Sequence, residues 1–168
     1  MRKNLPYLVF ILFFLLLDQA TKWLVAREIP LYGSRMVIPG FFNLTHIRNK
    51  GAIFGFFSNS GNRLVSLALV AAALIALGLV LYYFVKTPAS ERGMKLSLAL
   101  ILSGALGNQV DRVARGYVTD FLDLYVRNRH WPFFNVADSC ITIGAVLLFI
   151  MILTRKPACS PSSSESAR

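Results

Sequence analysis

Acidic residues are scarce in this sequence: eight Asp and Glu stand against eighteen Lys and Arg, a formal net charge of +10. Cysteine is nearly absent. Cys140 lies at the start of an apolar segment and Cys159 in the tail, which excludes a disulfide framework. The two histidines, His46 and His130, have no partners at zinc-ligand spacing, and no HExxH motif occurs; a metal site is therefore not expected. There is no internal repeat. Charged residues make up only 15% of the chain and hydrophobic residues 55%, with a mean hydropathy of +0.56. That excludes an ordinary soluble domain of this size and favours one compact membrane unit over two domains. In a soluble protein the positive charge would suggest nucleic acid. Here the basic residues mostly flank apolar runs, so anionic lipid headgroups are the expected partners and nucleic acid is not.

What is present is a set of long apolar runs. The pattern predicts four spans at about 7–26, 64–85, 96–114 and 137–153. The first opens like a secretory signal peptide, but its apolar run continues past Asp18, Gln19 and Lys22 through Trp23 to Ala26, which favours a retained helix. Residues 27–62 hold β-prone pieces at 36–38 and 41–47, punctuated by Gly33, Pro39-Gly40 and Gly51, and predict a small sheet outside the bilayer. Asn49-Lys50-Gly51-Ala52 reads as a turn, with Gly51 free to take a positive φ. Phe54, Phe56 and Phe57 follow, placed either to anchor in the headgroup layer or to hold an acyl chain. Residues 86–95 form a short charged loop, and 115–134 a return loop whose 117–126 stretch is β-prone. Residues 1–156 make a single domain, and the Ser-rich 157–168 a disordered tail.

The scarce acids are not spread evenly. Four of the eight, Asp111, Asp120, Asp123 and Asp138, fall between Gly104 and Asp138. A carboxylate beside hydrocarbon is costly, so an acid within or at the edge of a span is a functional candidate. Asp120 lies within the return loop and Asp138 just after it, and that loop begins and ends at the same membrane face, so both can reach one point. Two carboxyls in hydrogen-bond range cannot both ionise easily; one pKa rises and a proton is shared. Such a pair can activate a water for peptide hydrolysis without a covalent intermediate. Asn135 is placed as a helix N-cap, with Asp138 at the third helical position, where the helix N-terminus favours its charge. Asp138 is then the ionised member and Asp120 the protonated one. Asp18 and Lys22, spaced i, i+4, lie on one face and can pair, as a structural ion pair or at the mouth of a site. Asn108, Asp111 and Arg112 share a face that cannot look at lipid, and Asp111-Arg112 reads most simply as an orienting ion pair. Asp123 reads most simply as a solvated loop acid. The asparagines 49, 108 and 135 either satisfy buried backbone groups or orient the acids and a substrate amide.

These pieces resemble the bacterial lipoprotein signal peptidases, the type II signal peptidases. The resemblance rests on Asp18-Gln19 with Lys22, Asn49-Lys50-Gly51-Ala52-Ile53-Phe54, Gly107-Asn108-Gln109-Val110-Asp111-Arg112, Val118-Thr119-Asp120-Phe121 and Phe134-Asn135-Val136-Ala137-Asp138-Ser139. Each piece alone is weak; all in this order is specific. Ile53, where many members look smaller, and Cys140, often alanine, depart from the pattern. The resemblance implies an all-α membrane protein with four transmembrane helices, a small extracytoplasmic β-cradle and an outer loop. It implies an aspartyl endopeptidase that cleaves prolipoproteins before a diacylglyceryl-modified cysteine, with Asp120 and Asp138 as the catalytic pair. Asp18, Lys22, Asn49, Gly51, Asn108, Asp111, Arg112 and Asn135 are the expected binding or supporting residues. No metal or organic cofactor is implied, and a monomer is expected.

Orientation follows from charge. Eight basic residues fall on the side of the termini and ten on the other, but they are denser in the short leader and the short second loop. The positive-inside rule weighs those most heavily. The chain is expected in the bacterial inner membrane, with both termini and the tail cytoplasmic and the acids near the outer face. The alternative is a small proton-coupled transporter or channel subunit, which would also carry Asp and Arg in its helices. Such proteins often show internal repeats and mid-membrane polar groups; here there is no repeat and the acids gather at one boundary. A structural assembly protein held by Asp-Arg pairs is the third possibility, and it predicts tolerance of Asp120→Asn.

Overall fold

A computed structural model describes residues 4–50 and 63–154. It is mostly helical, with one small antiparallel sheet. The element order is α1 (Leu5–Glu28), β1 (Ser34–Ile38), β2 (Phe42–Asn49), α2 (Arg63–Lys86), α3 (Arg92–Arg115), β3 (Val118–Val126), β4 (Arg129–His130) and α4 (Val136–Leu153). Gly51, Phe54, Phe56, Phe57 and the tail lie outside the described residues.

Local chemistry sets the helix ends. Ile29 precedes Pro30, whose ring disfavours the helical region for the residue before it. Ile29 is accordingly extended, at φ −120 and ψ 122, and α1 stops at Glu28. α3 ends at Gly116, which takes φ 76 and returns its N–H to the Arg112 carbonyl at 3.1 Å; a residue with Cβ would be strained there. α4 starts at a capping box. Asn135 accepts from the Asp138 N–H, and Asp138 accepts from the Asn135 N–H.

The helices extend a few residues beyond the apolar runs that predict them. One difference has consequences: α3 begins at Arg92, so Lys95 belongs to the helix and not to the preceding loop. It is 2% exposed. Its Nζ donates to Asn4 Oδ1 and the Thr87 carbonyl, both at 2.8 Å, and lies 5.7 and 5.2 Å from the centres of the Tyr7 and Phe84 rings. Two neutral acceptors and two ring faces make this burial tolerable.

α3 is the central helix, packing against α1, α2 and α4. One apolar core joins Tyr7 and Ile11 of α1, Phe84 of α2 and Leu98, Ala99 and Leu102 of α3. A second joins Val25 and Ile29 to Phe121 and fastens the sheet to the helices. α3 and α4 approach to backbone distance at Gly104, where an added Cβ would strike the Ala137 carbonyl. By contrast, one side of α1 carries Leu8, Val9, Leu12, Phe13 and Leu16, all more than half exposed. Such a face needs an apolar neighbour. Among the described residues, Leu5–Glu28 and Val136–Leu153 are long and apolar enough to cross a membrane, and 71–86 of α2 is a shorter apolar stretch.

The strands lie in the order β1-β2-β3-β4, all antiparallel. β2 pairs with β3 as Asn43↔Asp123 and Leu44↔Leu122, then as Ile47↔Asp120 and Asn49↔Val118, with a bulge between. The bulge changes which face each side chain meets, because strand side chains alternate.

Candidate active site

The acids expected to act together do share a place, at the end of the bundle where α3, α4 and β3 meet. Asp120 comes from β3 and is buried; Asp138 sits in the first turn of α4 and is partly open to solvent. Asn135 bridges them. Its Nδ2 donates to Asp120 Oδ1 at 2.7 Å, while its Oδ1 and N–H bond Asp138 at 2.9 and 3.2 Å. The second oxygen of Asp120 accepts from Asn49 Nδ2 at 2.9 Å, and Asp138 Oδ1 accepts from Asn108 Nδ2 at 2.8 Å. Each carboxyl is thus aimed by amide donors from two directions.

Burial raises the Asp120 pKa most, to about 6; the Asn49 hydrogen bond opposes the rise, and the charge of Asp138 adds to it. The two carboxyls therefore sense each other, and the more enclosed one holds its proton more firmly than an ordinary aspartate.

Behind the acids stands a buried charge cluster. Lys22, fully enclosed, donates its three protons to Asp18 Oδ2 at 2.8 Å, Asp111 Oδ2 at 3.0 Å and Asn108 Oδ1 at 2.9 Å. Each hydrogen of the ammonium has an acceptor, the condition for burying such a charge. Asn108 passes the constraint on, since its other amide atom holds Asp138. The second Asp18 oxygen accepts the Ala137 N–H at 2.9 Å, placing a carboxylate on the α4 N-terminus, where the helix dipole favours it. Asp18 and Lys22 are therefore an ion pair that also positions the residues around Asp138.

Two expectations need correction. Asp111 does not pair with Arg112. It pairs with Lys22 and, at 2.9 Å, with Arg115, while Arg112 donates to Gln109 Oε1 at 3.3 Å at the margin of the cluster. Adjacent helical residues point about 100° apart, whereas Asp111 and Arg115 share a face. Nor is Asp123 a solvated loop acid. It is 3% exposed, held by Asn43 Nδ2 at 3.0 Å and His130 Nδ1 at 2.7 Å. The β3-prone stretch forms a paired strand, and pairing encloses it.

Some participants were not singled out by spacing. Arg115 was available as the i+4 partner of Asp111. Gln19 was available as a polar residue in an apolar run; it donates to Asp18 Oδ2 and to the Gly107 carbonyl, both at 3.1 Å. Asn43 carried no signal short of the strand register. Among the described residues, no group of three or more His, Cys, Asp or Glu is arranged to hold a metal.

Known proteins resemble this chain over most of its length. Residues 10–154 match the family model of peptidase A8, signal peptidase (SPase) II. The chain is 46% identical over 142 residues to the lipoprotein signal peptidase of Syntrophus aciditrophicus, covering 84% of this chain and 88% of that one. It is 48% identical over 134 residues to that of Geobacter metallireducens, covering 80% and 82%. A solved structure described as a bacterial membrane enzyme superposes with a TM-score of 0.75 at 33% identity, covering 90% of this chain and 94% of that one. The chain belongs to the signal peptidase II family.

Proposed function

We propose that this protein removes signal peptides from prolipoproteins, as an aspartyl endopeptidase cutting before a diacylglyceryl-modified cysteine, with Asp120 and Asp138 as its catalytic pair. The observation that carries the reading is the Asn135 bridge between a buried carboxyl with a pKa of about 6 and a partly open carboxyl at a helix N-terminus. Asp138, nearer water and the helix dipole, is the ionised member, and Asp120 the protonated one.

The chemistry follows from those two states. Asp138 takes a proton from a water whose oxygen attacks the scissile carbonyl carbon. Asp120 gives its proton to the carbonyl oxygen. The tetrahedral intermediate then collapses: the C–N bond breaks, Asp138 passes its proton to the departing cysteine nitrogen, and Asp120 recovers its own. The products are the signal peptide carboxylate and a free amino group on the lipidated cysteine. No metal or organic cofactor enters. Asp18, Lys22, Asn49, Asn108, Asp111 and Asn135 act by aiming the acids, and Arg112 stands at the rim; Gly51, expected among them, lies outside the described residues.

Such a substrate keeps its lipid in the bilayer while its peptide bond meets water. The four helices would span the bacterial inner membrane with both termini cytoplasmic. The sheet would form a cradle at the outer face, and the acids would lie at that boundary. The exposed apolar side of α1 and the membrane-enzyme neighbour support embedding. A monomer suffices, since both acids come from one chain. A proton-coupled transporter is not favoured, given the family match.

The test is cleavage of a diacylglyceryl-modified prolipoprotein in liposomes by wild type, Asp120→Asn and Asp138→Asn, with folding checked. Loss in both folded variants is expected. Isotope-edited infrared titration reads the protonation assignment, and a higher pKa at Asp138 would reverse it.

A further inference from the structure

At the opposite end of the bundle from the acids, a cavity of about 710 Å³ opens between α2 and α4 over the first turns of α3. Ala76, Leu79, Tyr83, Met94 and Leu148 give it apolar walls, and Lys86 stands at its mouth with Thr87 and Glu91. We propose that this slot holds an acyl chain of an anionic glycerophospholipid, with the lipid phosphate at Lys86.

Three observations converge. The first is length. From Ala76 to Lys86 the helix rises ~15 Å, half of a ~30 Å hydrocarbon core, so the slot is one leaflet deep and ends in charge where headgroups begin. The second is width. Spread over that length, the cavity has a mean cross-section of roughly 50 Å². Extended hydrocarbon fits that section. The third is charge. Lys86 Nζ lies 5.8 Å from the Tyr82 ring centre. Lys86 is exposed at the mouth, and its ammonium suits a phosphate. The leaflet, cytoplasmic, rests on the orientation proposed above; the binding itself does not.

The experiment uses the full chain in phosphatidylcholine vesicles carrying a trace of phosphatidylglycerol, or of phosphatidylcholine, with a photoactivatable group in the acyl chain. Mass spectrometry maps the labelled peptides. The phosphatidylglycerol probe should mark the α2 76–83 and α4 148–152 segments about fivefold above the lipid-facing Leu12-Phe13 segment of α1, and Lys86→Gln should remove most of that excess. Leu148→Trp, which fills the slot, should abolish it, with circular dichroism as the folding check. If that variant fails to fold, the Lys86→Gln comparison decides. Labelling no greater than at Leu12-Phe13, equal labelling by both probes, or indifference to Lys86→Gln would mean bulk lipid only and overturn the proposal. Displacement by a signal peptide would also overturn it, in favour of a docked helix. Prolipoprotein cleavage in the same vesicles is read separately, so failure of the lipid site and failure of the peptidase reading are distinguishable.

Discussion

Asn135 donates its Nδ2 to Asp120 Oδ1 at 2.7 Å while it caps the helix that carries Asp138. One side chain therefore fixes both the start of α4 and the relation between the two acids. Asn135→Asp keeps the cap and replaces the donor with a third carboxylate. It should leave helix content intact and lower cleavage at least about a hundredfold, the scale of a positioned acid-base group. Circular dichroism and a prolipoprotein cleavage assay on the same preparation check this. A variant retaining near wild-type turnover would sink the bridging role.

Asp120 gives stability a defined pH dependence. Its folded pKa of about 6 lies above the ordinary aspartate value of 3.8, so the native state binds more protons than the unfolded state between those values. Its stabilising effect is full below about pH 4 and is lost as pH rises through about 6; the raised pKa corresponds to about 3 kcal/mol at most. Asp120→Asn has no proton to lose, so its stability should be flatter across that window. Denaturation in detergent at pH 4, 5, 6 and 7 gives the two slopes. Parallel slopes would refute the assignment.

Much of this arrangement is readable from residue spacing, and the limits have a physical cause. Asp18 with Lys22, and Asn135 with Asp138, are local pairs whose geometry follows from helix periodicity and capping. The Asp111-Arg115 pair was equally local, four positions apart with the acid first, yet adjacency to Arg112 obscured it. The fate of Asp123 was not readable. Asn43 and Asn49 are six apart and would share a face of a regular strand, while Asp120 and Asp123 are three apart and cannot. The bulge near Thr45-His46 flips the parity of β2, so each asparagine meets its own aspartate. A bulge has no spacing signature. The position of Lys22 among polar groups of α1 and α3 likewise depends on tertiary packing.

The Lys22 cluster should fail asymmetrically. Lys22→Met leaves Asp18 and Asp111 buried without their shared cation, which costs about 3–5 kcal/mol for a broken buried pair. Adding Asp18→Asn removes one stranded charge and should restore part of the loss, though it weakens the contact with the Ala137 N–H. Thermal unfolding in detergent compares the single and double variants. A double variant less stable than Lys22→Met would show that Asp18 matters chiefly as a cap on α4.

Gly104 sets how closely the helix bearing Asn108 can approach the helix bearing Asp138. A Cβ there would strike the Ala137 carbonyl and lie 2.8 Å from Ile141. The carbonyl is backbone and cannot swing aside, so α3 and α4 must part. Overpacking of this kind costs about 1–3 kcal/mol. The chemical consequence should be larger than the thermodynamic one. Asn108 Nδ2 reaches Asp138 at 2.8 Å across this same seam, and a misplacement of about 1 Å can cost about a hundredfold in rate. Gly104→Ala should therefore fold, melt at a lower temperature and lose most of its cleavage activity. Gly78 of α2, with nothing near its Cβ position, is the control: Gly78→Ala should keep both stability and turnover. Equal behaviour of the two alanine variants in the cleavage assay would dismiss the close α3–α4 seam as a requirement of the site.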